Sequence, residues 1–337
     1  MRLTLYMIIA GLFCASCSQG MKNGNNGSQG QTANAGSTAG QTQQPKGGSG
    51  QTTEGGKGNA KNAPLNAFTR NKINSSMVPF RSPNNPKEKE AEALYNSGTV
   101  KAKDGDYTGA VSDFTRSIEL SPYGNTYLRR GYAFLMLKEY DRGVEDMNTA
   151  VKLLPTPELA YFARGVCHFE KEEFDDAEAD INKYLEKEKS NALAYNYMAA
   201  IRFMKQDVKG ALDNYEMVAK LDPGFADIYT NRGMMKHYMN DLKGAVEDYN
   251  EAIRRDPGNA TAFNNRGAAK MNQKDYDGAL EDFNAAIRLN NAYADAYDNR
   301  GRAKLKLGDT PGACEDWQKS YSLGLEKSHE LIEKYCN

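Results

Sequence analysis

Histidine and cysteine are scarce in this sequence, and with them most of the groups that carry catalysis or bind metals. The 337 residues include three histidines and five cysteines. His168, His237 and His329 lie in different segments, and none shares metal-ligand spacing with a Cys or carboxylate on one helical face. Cys167 adjoins His168, but helix neighbours point about 100° apart, which favours a packed thiol over a nucleophile and base. The sequence therefore predicts no enzyme, no catalytic residue, no metal and no cofactor.

Large apolar side chains are nearly missing from residues 17–63, which consist mostly of Gly, Asn, Gln, Ser, Thr, Ala and Lys. Such a segment cannot bury enough surface to offset the entropy of ordering, so we predict a disordered linker there. The glycines do not form a phosphate-binding loop between a strand and a helix.

Charge is unevenly distributed along the chain. Residues 1–90 carry ten Lys/Arg and three Asp/Glu, a balance of 10 − 3 = +7, and the rest carries 33 and 41, a balance of 33 − 41 = −8. A basic arm can meet anionic lipid, the acidic body of its own chain, or nucleic acid. Because the acidic body repels phosphate, we predict no nucleic-acid partner.

The N-terminus has the pattern of an export signal. Arg2 precedes an apolar run from Leu3 to Phe13, which is too short to span a bilayer but suits a secretory signal. Small residues follow at 15 and 16, and the string from Leu12 to Cys17 resembles a bacterial lipobox. The resemblance implies that residues 1–16 are a lipoprotein signal peptide, that Cys17 is lipidated, and that Ser18 directs the chain to the outer membrane. The alternative is an ordinary signal peptide that leaves a soluble periplasmic or secreted protein.

A repeat of 33 or 34 residues follows. A small residue recurs at seven positions, and a second small residue follows each by twelve, where two helices would approach closely; the first column is Gly98, Gly131, Gly165, Ala199, Gly233, Gly267 and Gly301. Proline ends four of the second helices, at Pro122, Pro155, Pro223 and Pro257. This pattern resembles the tetratricopeptide repeat in seven copies, at 91–123, 124–157, 158–191, 192–225, 226–259, 260–293 and 294–324.

The resemblance implies an all-α, right-handed superhelical solenoid of helix hairpins that ends in a capping helix at 325–337. Residues 64–90 are then a basic linker or an N-terminal cap. Arg130, Arg164, Arg232, Arg266 and Arg300 each stand sixteen residues before an Asp, whereas repeat 4 has Met198 and Asn214 in these places. Loss of both charges together favours a structural ion pair over a ligand clamp.

Cys314 and Cys336 are candidates for a disulfide. Gly312–Trp317 and the ending Lys334-Tyr335-Cys336 resemble the last repeat and cap of Gram-negative envelope tetratricopeptide proteins. Cys314 falls in a mostly apolar column of the repeat, and Cys336 falls where the next first helix would pack, so the sulfur atoms can meet. The alternative is two reduced core thiols.

In this family the first helix of each repeat lines a concave groove through its positions two, five, six, nine, twelve and thirteen. In repeats 2–4 the implied groove is apolar and includes Leu128, Tyr132, Leu135, Phe162, Val166, Phe169, Tyr197 and Phe203. In repeats 5–7 it is amide-rich, and the family resemblance implies that Asn231, Asn265 and Asn299 contact an extended peptide backbone.

The apolar part is expected to be either an exposed binding site or ordinary repeat packing, and residues 64–86 are a further candidate to dock there. Together these features predict a scaffold or adaptor at the bacterial cell envelope that binds a protein or peptide partner and no small-molecule substrate. The alternative is a structural subunit of a secretion or outer-membrane assembly machine.

Overall fold

A computed structural model describes residues 85–224 and 227–336. The chain divides into two units, residues 1–66 and 67–337, and all described residues belong to the second. The predicted signal peptide, Cys17, the linker and residues 64–84 lie outside the described part.

Among the described residues there are fifteen α-helices and no strand. Their bounds are α1 Pro86–Asp104, α2 Tyr107–Leu120, α3 Gly124–Leu137, α4 Tyr140–Leu153, α5 Glu158–Glu170, α6 Phe174–Lys187, α7 Ala192–Met204, α8 Val208–Leu221, α9 Asp227–Tyr238, α10 Leu242–Arg255, α11 Ala260–Asn272, α12 Tyr276–Leu289, α13 Ala294–Lys306, α14 Thr310–Ser322 and α15 Ser328–Tyr335. Within this part of the chain, no helix is both long and apolar enough to cross a membrane.

Consecutive helices pair into seven hairpins, from α1 with α2 to α13 with α14, and each hairpin packs on the next. Short connections favour antiparallel neighbours. First helices also contact one another from α1 to α7 and again from α9 to α13. The predicted all-α solenoid is confirmed, with α15 as the predicted capping helix.

The small-residue column brings the two helices of each hairpin together. A Cβ added at Gly267 would lie 2.7 Å from Cε1 of Phe283, so only glycine fits there without movement. One large buried residue per repeat occupies this place on the second helix: Phe114, Met147, Ile181, Tyr215, Tyr249, Phe283 and Trp317.

The turn inside each hairpin has a left-handed residue. Five of these are not glycine, with φ between 63° and 67°, and Lys274 is one of them. Four residues downstream, in five of the seven turns, glycine occupies the third position of the next helix; at Gly278 the backbone N–H donates to Oδ1 of the capping Asp275 at 3.0 Å. A side chain there would collide with this carboxylate, since its Cβ would lie 2.3 Å from Oδ2.

The five predicted Arg–Asp pairs are confirmed as contacts between the two helices of a hairpin. Each guanidinium donates two parallel hydrogen bonds of 2.5 to 2.9 Å to its Asp, and these carboxylates are at most 5% exposed. In repeat 4, Met198 is buried and the Asn214 amide instead donates to the Gly210 carbonyl at 2.6 Å. Because these guanidinium groups are engaged within the hairpin, they stabilise the fold and are not ligand clamps.

The C-terminal helix α15 covers the end of the last hairpin. The sulfur atoms of Cys314 and Cys336 lie 2.04 Å apart, within a disulfide bond, and the rings of Trp317 and Tyr335 are 5.7 Å apart. Ser328 is fully buried and donates from Oγ to Oδ1 of Asp298 at 3.0 Å. The cap is therefore attached both to α14 and to α13.

Candidate binding surface

The first helices of repeats 5–7 present polar side chains in two rows. Position five forms a buried row, with Thr230, Asn264 and Asp298. Position six forms a row that is partly exposed to solvent, with Asn231, Asn265 and Asn299. We call the second row, on α9, α11 and α13, the amide row.

Hydrogen bonds hold part of the amide row in place. The Asn299 amide donates to Oδ1 of Asn264 at 3.0 Å, and the Asn264 amide lies 3.3 Å from Oδ1 of Asn265. This chain of amides links α11 to α13. Each amide offers two donors and two acceptor lone pairs, so a partly exposed amide fixed in this way keeps capacity for a peptide backbone.

One end of the amide row carries an exposed aromatic side chain. Tyr238, at the end of α9, is 65% exposed, and its ring centroid lies 6.2 Å from that of Phe203 on α7. Beside it, His237 Nε2 lies 2.8 Å from Nδ2 of Asn272 on α11, and burial lowers the pKa of His237. The imidazole is thus neutral at pH 7 and contributes no charge to this surface.

The other end of the amide row is closed by the cap. Asp298 is 1% exposed and accepts from Nε of Arg302 at 2.8 Å as well as from Ser328. Lys327 Nζ lies 3.0 Å from Oδ1 of Asp295. Both carboxylates are therefore engaged by this chain's own side chains.

Of the alternatives left open for the apolar part of the groove in repeats 2–4, an exposed stretch does not agree with the burial of its side chains. All eight predicted side chains are buried, at no more than 9% exposure: Leu128, Tyr132, Leu135, Phe162, Val166, Phe169, Tyr197 and Phe203. Part of the reason is ring packing across helices. The Tyr197 ring on α7 lies 5.9 Å from that of Phe162 and 5.6 Å from that of Phe169, both on α5. The proposed docking of residues 64–86 involves a segment outside the described residues, apart from 85 and 86.

Sequence reasoning missed one polar cluster. His168, Glu173 and Asp176 bring one possible ligand atom each to within 4.8 Å of one another, across a hairpin turn that separates them in sequence. Glu173 is already bonded, however, at 2.6 Å to His168 Nδ1 and at 2.7 Å to Lys171 Nζ, and the Lys171 bond is the main cause that lowers its pKa. The Lys171 ammonium thus already balances the charge of the Glu173 carboxylate. We interpret the cluster as an ion-pair network and not as a metal site.

Cys167 is a packed thiol. It is fully buried, and burial raises its pKa to about 12. Because the thiolate is the nucleophilic form, this cysteine is inert at neutral pH.

Models of known families match four stretches of the chain. Those described as tetratricopeptide repeat match residues 91–123, 128–192 and 260–293, and one described as TPR repeat matches residues 233–274. No curated protein matches the chain at a significant level.

Solved structures share the fold. A tetratricopeptide repeat protein from Parabacteroides merdae is 15% identical, with a TM-score of 0.57 over 74% of this chain and 100% of that one. PilF of Pseudomonas aeruginosa is 15% identical, with a TM-score of 0.54 over 63% of this chain and 97% of that one. The APC/C hetero-tetramer Cut9-Hcn1 contains a chain that is 16% identical, with a TM-score of 0.53 over 70% of this chain. The match covers only 45% of the length of that chain of the hetero-tetramer.

Proposed function

Because the chain is a tetratricopeptide repeat protein, we propose that it is a non-enzymatic scaffold that binds an extended partner polypeptide along the amide row. The observation that carries this proposal is the recurrence of a partly exposed amide at one helical position in three successive repeats, at Asn231, Asn265 and Asn299. Amides of this kind bond the backbone of a peptide whatever its side chains are.

The spacing of the helices fits an extended ligand. Helices in contact have axes about 8 to 10 Å apart. A polyproline II segment repeats its orientation every three residues of ~3.1 Å, or about 9 Å, so one backbone group per turn would meet one amide per repeat. The exposed Tyr238 ring at the end of the row adds an apolar contact.

Site-specific crosslinking tests this proposal. A photo-crosslinking residue is placed at Asn265 on α11, and a matched control is placed at the exposed Lys243 on the second helix α10. We expect a defined adduct from position 265 in intact cells, absent at 243, that is weakened when Asn231 and Asn299 are changed to Ala. Equal adducts from both positions would refute binding along the amide row.

The alternative role has its own signature. A partner that remains bound in fixed stoichiometry through purification, and crosslinks from Lys243 as well, would indicate a structural subunit of a larger assembly.

The proposed location is the cell envelope, with Cys17 lipidated and the chain held at the outer membrane. Support comes from the lipobox-like sequence and from the linker that follows it. Cys17→Ala should move the chain from the membrane fraction to the soluble fraction and abolish labelling by a lipid precursor. A chain that is soluble and unlabelled before the change would instead support the soluble periplasmic or secreted alternative.

A further inference from the structure

Equivalent concave positions differ in exposure between the two halves of the repeat array. Positions nine and twelve of repeats 2–4 are all buried: Tyr132, Leu135, Val166, Phe169, Ala200 and Phe203. The same positions of repeats 5–7 are partly or fully exposed: Met234, His237, Ala268, Met271, Arg302 and Leu305. We call the first set the apolar face. All seven repeats share the backbone hairpin, so the difference comes from the side chains of repeats 2–4, from another segment that lies over them, or from both.

Two alanines allow the two halves to be compared at residues of the same size. Ala200 on α7 and Ala268 on α11 are the same residue at position nine of their repeats, yet Ala200 is 5% exposed and Ala268 is partly open to solvent. The rings that meet at Tyr197 account for part of the burial of the apolar face. A methyl group has no such reach and depends on what lies over it.

A buried polar group on α7, the helix that carries Ala200 and Phe203 of the apolar face, also lacks a hydrogen-bond partner. Asn196, at position five of α7, is buried, and its Oδ1 accepts no hydrogen bond from any part of the chain that the structure describes. Buried amide oxygens rarely stay unbonded. A backbone N–H of a segment laid over α7 is the kind of donor that Oδ1 lacks.

We propose that residues 67–84 of the same chain cover the apolar face. This segment has the chemistry that such a face requires. Its large apolar residues are Phe68, Ile73, Met77, Val78 and Phe80, and its three charges are all basic, at Arg70, Lys72 and Arg81. The body that it would contact carries the balance of −8. One of its acidic groups is next to the apolar face in sequence: Glu170 follows Phe169 at the end of α5, and its carboxylate accepts from the Tyr140 hydroxyl at 3.3 Å.

The covalent connection also favours this occupant. The segment ends at residue 84, and the next residue, Asn85, caps α1. The segment is therefore joined directly to the first repeat. Its 18 residues reach up to roughly 60 Å when extended, whereas three first helices in contact extend over about 20 to 30 Å. A short tether also raises the local concentration of the segment to about the millimolar range, well above that of a separate partner. The proposal does not depend on whether the amide row binds a ligand.

Thiol labelling of the full chain tests it, with the two alanines as a matched pair. Ala200→Cys and Ala268→Cys are treated with a maleimide, and the labelling rate at each position is read by peptide mass. We expect position 200 to react at least about tenfold more slowly than position 268 in the folded chain, since access limits the reaction. Deleting residues 67–80 should remove most of this difference by raising the rate at 200 and leaving that at 268 unchanged.

Two further measurements keep the result decisive. In place of the deletion, Phe68→Asp with Phe80→Asp should raise the rate at 200 while preserving chain length. A synthetic peptide of residues 67–84, added to the deleted chain, should restore protection, whereas the same peptide with both Asp substitutions should not. Rapid labelling at position 200 in the intact chain, or protection that survives both the deletion and the substitutions, would overturn the proposal in favour of an open face or of burial by the repeats alone.

Discussion

The ion pair of repeat 6 can be exchanged for the uncharged pair that repeat 4 carries at the same places. Arg266 bonds Asp282 through two hydrogen bonds of 2.9 and 2.6 Å, and Lys270 Nζ lies 2.9 Å from the same carboxylate. Repeat 4 shows what this geometry accepts instead, namely Met198 with Asn214. The informative variants are therefore Arg266→Met, Asp282→Asn and the two together.

The structure sets the expected magnitudes. Removing one member of a buried pair costs about 3 to 5 kcal/mol, and we expect about 2 to 3 for Arg266→Met because Lys270 still faces the Asp282 carboxylate. Asp282→Asn leaves the guanidinium its bond to Asn250 at 2.6 Å, and we expect about 1 to 2 kcal/mol. The double variant should cost about 1 kcal/mol, because it removes both charges of the pair together, and the Lys270 ammonium, which is 20% exposed, keeps its contact with the Gly278 carbonyl. The coupling free energy between the two sites is then about 2 kcal/mol or more.

The assay is urea unfolding followed by circular dichroism, with amide hydrogen exchange of α11 and α12 to locate the change. Partner crosslinking from position 265 should persist in any variant that is still folded, since the pair lies inside the hairpin. A double variant whose loss equals the sum of the two single losses would refute the ion-pair reasoning. So would an Arg266→Met chain with unchanged stability.

Three further outcomes are expected. Reduction should add two hydrogen atoms to the intact mass at the Cys314–Cys336 pair, and Cys336→Ser should lower the free energy of unfolding by about 3 kcal/mol, given the separation of 22 residues; an unchanged mass would contradict the bond. Lys274→Gly should raise the free energy of unfolding by about 0.5 to 1 kcal/mol, since the φ of 67° is costly for a side chain, and a loss of stability in urea would contradict this. Cys167, whose pKa burial raises to about 12, should resist iodoacetamide at pH 8 in the folded chain and react in urea; reaction without unfolding would show that the thiol is accessible.

The helices and their pairing could be predicted because the same pattern of small residues recurs in seven repeats. The spacing between Gly267 and Gly301 fixes one hairpin, and the proline at 257 marks the end of one second helix beside Arg255, where α10 ends. The ion pairs followed from a fixed separation of sixteen residues. A third partner was missed although it has the same separation: Asn250 lies sixteen residues before Arg266 and accepts from its Nη1. In some other repeats the position of Asn250 holds Thr or Glu. Because the residue type varies, this position was not recognised as a recurring partner of the arginine.

The exposure of the concave face could not be predicted in the same way. The position of a residue within a repeat predicts which face of the helix carries its side chain. It does not decide what else occupies the space in front of that side chain. Val166 is fully buried and Asn265 is not, although both lie on the concave side of a first helix. Long-range packing sets this difference, and a repeat pattern is local by construction.

Two departures from the repeat pattern lie near the junction of repeats 4 and 5. The apolar face ends at Phe203 and the amide row begins at Asn231, and repeat 4 carries Met198 where repeats 2, 3, 5, 6 and 7 carry arginine. In a solenoid each repeat contacts only its neighbours, so the residues on one side of this junction can differ from those on the other without disturbing the packing of either. The columns shared by all seven repeats specify the hairpin. The residues outside those columns give repeats 2–4 a buried apolar face and repeats 5–7 a partly exposed polar one.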